Sequence, residues 1–226
     1  MSSPRPIVAI DGPAGAGKST ITRRLARRLD YVFIDTGAMY RAVALFAQRR
    51  GVPFDDPEGL TRLAESLRFE FRPDGESARL FVEGEDVSEA IRTPEVSRGS
   101  SQVSVWPGVR AALVAHQRRM GEAGGVVMEG RDIGTVVFPH ARVKIYLTAT
   151  EEERARRRCL ELTAKGAAAN EAEVLCEVRE RDRRDMEREH SPLRKADDAV
   201  EVVTDGLTIE QVVDCLEELV RKRERE

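Results

Sequence analysis

The chain has 226 residues, 41% hydrophobic and 34% charged, with a net charge of −3 at pH 7. That suffices for one sizeable core with a small appendage. No apolar stretch nears the ~18 residues a bilayer span needs, and the overall charge argues against a surface that recruits nucleic acid.

The opening "MSSPRPIVAIDG" has no signal-peptide layout. Residues 6–11 read as a short buried strand, and 18–30 as a helix with Ile21, Leu25 and Leu29 at helical spacing. A second strand follows over 31–35, then a helix over 37–51 closed by Gly51 and Pro53. From 67 to 88, Phe69 and Phe71 alternate, and turns at Pro73-Asp74-Gly75 and Glu83-Gly84 predict three short antiparallel strands. Such a meander is too small to fold alone and is read as an insert. Two helices split near Pro107 come next, then strands at 126–129 and 142–150. Residues 151–190 are nearly all charge and predict a pair of helices. Strand 199–205 and a terminal helix complete an alternating βα pattern, hence an α/β fold. Cys159, Cys176 and Cys215 are odd in number with no CxxC pair, which suits a reducing cytosol better than disulfides or zinc.

The segment "GPAGAGKST" has the spacing Gly12-x4-Gly17-Lys18-Ser19 between a strand and a helix, the phosphate-binding P-loop pattern in its proper context. Glycines let successive N–H groups converge on an anion, and the helix beginning near Lys18 adds its positive end. Lys18 can reach the β- and γ-phosphates and the Ser19 hydroxyl can ligate Mg²⁺. A nucleoside triphosphate site is expected.

A GTPase would need a base-reading motif of the NKxD kind, which the sequence lacks. A motor or transporter ATPase would need a larger body. A small phosphotransferase remains, and it requires an acceptor site. Three clusters suit one. "DTGAMYR" leaves the second strand, so Thr36 sits at the carboxyl edge of the sheet with Arg41 about one turn on. "EGRDIG" places Arg131 and Asp132 at the same edge. Arg181, Asp185 and Arg188 share a helix face that Val174 and Val178 continue backwards, so the stripe is expected to be partly buried. Each cluster also admits a plainer reading: a solvated helix residue, a strand-end ion pair, a salt-bridged surface helix.

"GPAGAGKST", "DTGAMYRAVAL", "VEGEDVSEAIRTPEVS", "SQVS", "EGRDIGTVVFP" and "ERDRRDMER", in this order, resemble the bacterial cytidylate kinases over essentially the whole chain. The resemblance implies a P-loop nucleoside monophosphate kinase fold: a parallel core sheet flanked by helices, a three-stranded antiparallel insert and a helical lid. Core segments would be 4–66, 106–150 and 191–226, the nucleotide-binding insert about 67–105, and the lid with its following helix about 151–190. Gly12, Pro13, Ala14, Gly15, Ala16, Gly17, Lys18, Ser19 and Thr20, with Arg157, would bind ATP, and Ser19 the metal. Thr36, Arg41, Arg131 and Arg188 would hold the acceptor phosphate; Ser101, Arg110 and Asp132 would read cytosine; Arg181 and Asp185 would touch the sugar, and Tyr40 would pack beside the nucleotide. The lid would carry Arg154, Arg157 and Arg158. One departure is Glu129, where the family commonly has Asp.

The base-reading assignment also has its own chemistry. A carboxylate accepts from the cytosine N4 amine, and an Arg donates to N3 and O2. Uracil would set an acceptor against the carboxylate, and such mismatched polar contacts discriminate strongly. The expected reaction is direct in-line transfer of the ATP γ-phosphoryl group to CMP, and also to dCMP, by a cytosolic monomer that binds no membrane. No catalytic His is needed, because the acceptor's second pKa is near ~6. Charge neutralisation by Lys18, Mg²⁺, Arg131, Arg188 and the lid arginines is the main task. Residues 154, 157 and 158 are expected to share the phosphate-facing side of the lid helix, with the Gly166 region as hinge or tip.

Overall fold

The computed structural model describes residues 5–75, 77–164, 166 and 168–225. Strands β1 (Ile7–Asp11), β2 (Val32–Asp35), β3 (Phe69–Asp74), β4 (Ser77–Val82), β5 (Glu85–Asp86), β6 (Val126–Gly130), β7 (Val143–Thr148) and β8 (Val200–Val203) form two sheets among the described residues. The larger is parallel throughout, in the order β2-β6-β1-β7-β8. β1 and β6 are aliphatic runs with almost no polar alternation, as strands covered on both faces must be.

The helices are α1 (Lys18–Leu29), α2 (Thr36–Arg49), α3 (Pro57–Ser66), α4 (Pro94–Val103), α5 (Pro107–Gly121), α6 (Glu151–Ala164), α7 (Glu171–Glu187) and α8 (Ile209–Arg225). On one face of the parallel sheet, Ile21, Leu25 and Leu29 of α1 meet Val212, Val213 and Leu216 of α8 over Val8 and Ile145. Beyond the other face, a cluster joins Met39 and Val43 of α2 and Leu60 and Leu63 of α3 with Leu80 and Val82 of β4 and Val109 and Leu113 of α5. The small antiparallel sheet, ordered β3-β4-β5, is thereby seated on helices. The α6–α7 hairpin has a small cluster of its own around Ala155, Val174 and Val178.

The predicted elements are present, with ends shifted by a residue or two. One shift has a plain cause. β3 runs on through Pro73 and Asp74, which were expected to turn. β3 is an edge strand, so the N–H that Pro73 lacks is not needed by a neighbour.

Three elements are not anticipated from the sequence, the shortest a single 3₁₀ turn at Ala90–Arg92. Helix α3 is started by Asp56, whose side chain accepts from the Gly59 N–H, and by Pro57 at its first position. A wide single helical turn, Ile133–Val137, follows β6, with the Val137 and Phe138 N–H groups reaching back to the Asp132 and Ile133 carbonyls. Of the expected hinge "TAKGAAAN", Lys165 and Ala167 lie outside the described residues. No helix among the described residues is long and apolar enough to cross a membrane.

Candidate functional site

β1, β2 and β6 end together, so Asp11, Asp35 and Gly130 open on one edge of the sheet. The loop after β1 passes so close to β7 that a Cβ on Gly12 would lie 1.9 Å from the Leu147 carbonyl oxygen. Gly17 takes φ 83° and delivers the chain into α1 at Lys18. Lys18 is buried, and its Nζ donates to the Gly12 and Pro13 carbonyls at 2.8 and 2.6 Å. Burial first, then the Arg131 charge, lower its pKa well below the ordinary lysine value. An ammonium in that setting gains strongly from incoming phosphate oxygens.

The Ser19 hydroxyl donates to Glu129 Oε1 at 2.5 Å, while Glu129 Oε2 is buried with no hydrogen-bond partner. Burial, and after it the Asp35 carboxylate, push Glu129 up to about 7. Thr36 donates to the Glu129 carbonyl at 2.7 Å. Asp35 caps α2 through the Ala38 N–H and pairs with Arg41 at 2.8 Å.

Facing this floor, Arg110 of α5 pairs with Asp132 at 2.5 Å, both side chains buried. Its guanidinium stands 5.4 Å from the Tyr40 ring centroid and its Nη1 donates to the Ser104 carbonyl. Arg110 Nε is buried without a partner. Tyr40, half-buried, is raised to about 12, desolvation being the main cause. Arg131 Nε donates to Asp185 of α7 at 2.9 Å. Burial is the largest single influence and works against the Asp185 carboxylate, yet the charge and hydrogen bond of Arg131, with the charges of Arg181 and Arg188, together lower its pKa. Arg188, the residue ending α7, donates to the Ser191 carbonyl and keeps a buried Nη2 unpartnered. Arg181 keeps solvent access at the cleft mouth but is walled in behind; desolvation and then Arg131 lower it to about 10.

Most of these groups line one cavity of about 800 Å³; Asp11, Gly12, Pro13 and Ala16 do not. Arg41, Arg131 and Arg188, from three distant chain regions, open on it together with Lys18, Ser19, Thr20 and the loop residues Ala14, Gly15 and Gly17. Thr36, Tyr40, Ser101, Arg110, Asp132, Arg181 and Asp185 line it as well. None of the three histidines does.

Two expectations are corrected. Arg154 and Arg158 do not line the cavity; the α6 residues that do are Glu153, Arg156, Arg157, Leu160 and Glu161. Four-residue steps from Glu153 lead through Arg157 to Glu161, while Arg154 lies about 100° round the helix. It is buried, with Nε on the Ala149 carbonyl, Nη1 on the Ala14 carbonyl and Nη2 2.6 Å from Asp182. Arg158 is exposed and pairs with Glu161. The stripe from Val174 and Val178 likewise runs on to buried Asp182, while Arg181 and Asp185 lie beside it on the cavity side. Residues not anticipated are the apolar group Leu160, Leu207 and Ile209 at the P-loop end of the cavity, with Thr204, which takes two hydrogen bonds from Arg157.

A family model described as Cytidylate kinase matches residues 8–222. A cytidylate kinase of Citrifermentans bemidjiense is 54% identical over 217 residues, covering 96% of this chain and 93% of its own. One from Geobacter sulfurreducens is 53% identical over 219 residues, covering 97% of this chain and 94% of its own. A solved structure of an uncharacterized protein from Eubacterium ventriosum matches with a TM-score of 0.52 at 11% identity, over 96% of this chain and 99% of its own, a likeness of fold alone.

Proposed function

The chain belongs to the cytidylate kinase family, and from that premise we propose how its own residues carry the reaction. It is a phosphotransferase that phosphorylates CMP at the expense of ATP. The P-loop, Gly12 to Thr20, holds the triphosphate, with Arg157 beside it. Leu160, Leu207 and Ile209 offer the adenine an apolar seat. Arg41, Arg131 and Arg188, with Thr36, hold the CMP phosphate in line with the γ-phosphate. Asp132 accepts from cytosine N4 while Arg110 donates to the ring, with Ser101 beside them. Arg181 and Asp185 take the sugar and Tyr40 packs alongside. Since base and phosphate carry most of these contacts, dCMP is a second acceptor. The observation that carries the reading is the shared cavity, which Arg41, Arg131 and Arg188 line together with Lys18.

Mg²⁺ fits this donor set. The Ser19 hydroxyl sits against a buried carboxylate with one unpartnered oxygen, and Asp35 is close enough to raise that carboxylate's pKa. Hard oxygen donors suit the ion. Among the described residues no group of three or more His, Cys, Asp or Glu could hold a metal, so Ser19 would share it with the nucleotide phosphates. Bound there, the ion would neutralise charge on the β- and γ-oxygens. The chain's residues do the positioning. Lys18 turns from its two carbonyls to the phosphates, and Arg131 moves between Asp185 and the acceptor. The α6–α7 hairpin, about 151–190, closes as a lid and keeps water from the γ-phosphate; its separate apolar cluster supports motion as one body. Three free cysteines support a cytosolic setting, and we read the enzyme as a monomer.

The test is ADP release with ATP and Mg²⁺ against CMP, dCMP, UMP, AMP and shikimate. CMP and dCMP should give the largest kcat/KM. Equal ADP release with and without acceptor would instead make the protein an ATPase switch, and preference for another acceptor would overturn the base assignment.

A further inference from the structure

Asp11 ends β1, immediately before the first glycine of the P-loop. It is buried and does not line the cavity. Oδ1 accepts the N–H of Ile133 at 2.8 Å and Oδ2 accepts that of Gly134 at 2.7 Å. These are the two residues after Asp132, at the first amides of the wide turn Ile133–Val137. Free amides at the start of a helical turn need an acceptor when buried. Here the acceptor comes from a strand 122 residues away.

The turn has little room to settle otherwise. A Cβ on Gly130 would lie 2.6 Å from the Ile133 side chain and 2.9 Å from Thr36 Oγ1. Asp11 and Gly130 are themselves paired across the sheet. One carboxylate therefore ties the root of the P-loop to the turn that presents Arg131 and Asp132.

We propose that Asp11 is a positioning residue for acceptor selection: its carboxylate bridges the Ile133 and Gly134 amides and so fixes where Asp132 meets the cytosine. The proposal rests on the reading of Asp132 and Arg110 as the base-recognising pair. An Asn at this place keeps the size but can accept from only one amide, and its NH₂ opposes the other N–H. A misplaced Asp132 weakens CMP and relaxes the choice between CMP and UMP, while the P-loop, held by its own glycines, keeps ATP.

The experiment compares the native enzyme with Asp11→Asn. Native enzyme preferring CMP over UMP validates the underlying reading; without that preference the reading itself fails. Given it, Asp11→Asn should raise KM for CMP roughly tenfold, the worth of a lost charge-assisted hydrogen bond. KM for ATP should stay within about twofold, and the CMP/UMP ratio of kcat/KM should fall by about fivefold or more. Binding of CMP alone, followed by fluorescence of Trp106, whose carbonyl accepts the Arg110 backbone N–H, should weaken in parallel. Asp11→Ser, which leaves room for a water to take both amides, should fall between the two. An unchanged CMP KM and ratio would overturn the proposal. So would both variants losing ATP and CMP in step, or failing to fold, since Asp11 would then serve the fold alone.

Discussion

On the floor of the cleft, Lys18, Asp11, Glu129, Arg110 and Asp132 are all buried and held by partners fixed in the sheet or its first loops. On the α6–α7 hairpin, Arg156, Arg158 and Arg181 are exposed, and the ion pairs that Arg156 and Arg158 make are with acidic residues of their own helix. Buried charges cost several kcal/mol each unless paired, so the floor can hold only one arrangement. Surface pairs are worth at most about 1 kcal/mol, so the hairpin can exchange them for phosphate oxygens at little cost. The contrast is between charge that is built in and charge that is free to change partners. Arg154 marks the boundary: it lies on the hairpin but is bound to the P-loop carbonyl of Ala14 and to Asp182.

Lys18→Met strikes the floor hardest. It should cut kcat by about 10³-fold or more, the scale of losing a preorganised charge at the transferring group, with the fold intact by circular dichroism; a loss under about tenfold would separate the floor from the chemistry. Next come Arg110→Met and Asp132→Ala. Each should lower kcat/KM for CMP by about 10²-fold and collapse the CMP/UMP ratio. Each also strands a buried charge, at about 3 kcal/mol of stability in denaturant titration. An unchanged ratio would remove both from base reading.

The hairpin divides on two neighbouring turns. Arg154→Met leaves Asp182 buried and unpaired, and should cost about 3 kcal/mol of stability. Arg158→Ala should leave Tm nearly unchanged and depress kcat more than KM for CMP, as a group recruited on lid closure would. Equal melting of the two variants would erase the distinction between the anchored and the exposed arginine.

The smallest effect is in pH. Burial raises Asp11 from 3.8 to about 6, only partly offset by the Gly134 and Ile133 amides. A carboxyl raised in the folded state stabilises fully below its unfolded pKa, and that contribution is lost as pH rises through the folded one. The nucleotide-free protein should therefore melt at lower temperature at pH 7 than at pH 5, with a shallower slope in Asp11→Asn.

The parts of this division legible in the sequence are those set by the sheet. A P-loop follows an apolar strand, and strands ending at one edge bring Thr36 and Arg131 together whatever the loops do. Side-chain phase on the hairpin was not legible. Residues 154, 157 and 158 share helical spacing, but charged positions on every side of α6 hide which face is covered, and only Asp182 opposite and Ala14 beneath decide it. Asp11 was invisible for another reason: its partners are backbone amides, which leave no residue signature. Helix α3 does carry a start signal in Asp56-Pro57, with Leu60, Leu63 and Ala64 at helical spacing, but that short stripe is masked by charged neighbours.

The most direct test is a crystal structure with CMP and a non-hydrolysable ATP analogue bound together. The account predicts guanidinium nitrogens of Arg41, Arg131 and Arg188 within about 3 Å of the CMP phosphate oxygens, with Lys18 on the triphosphate across from them and α6 moved inward. A CMP phosphate bound outside the reach of those three side chains would contradict it.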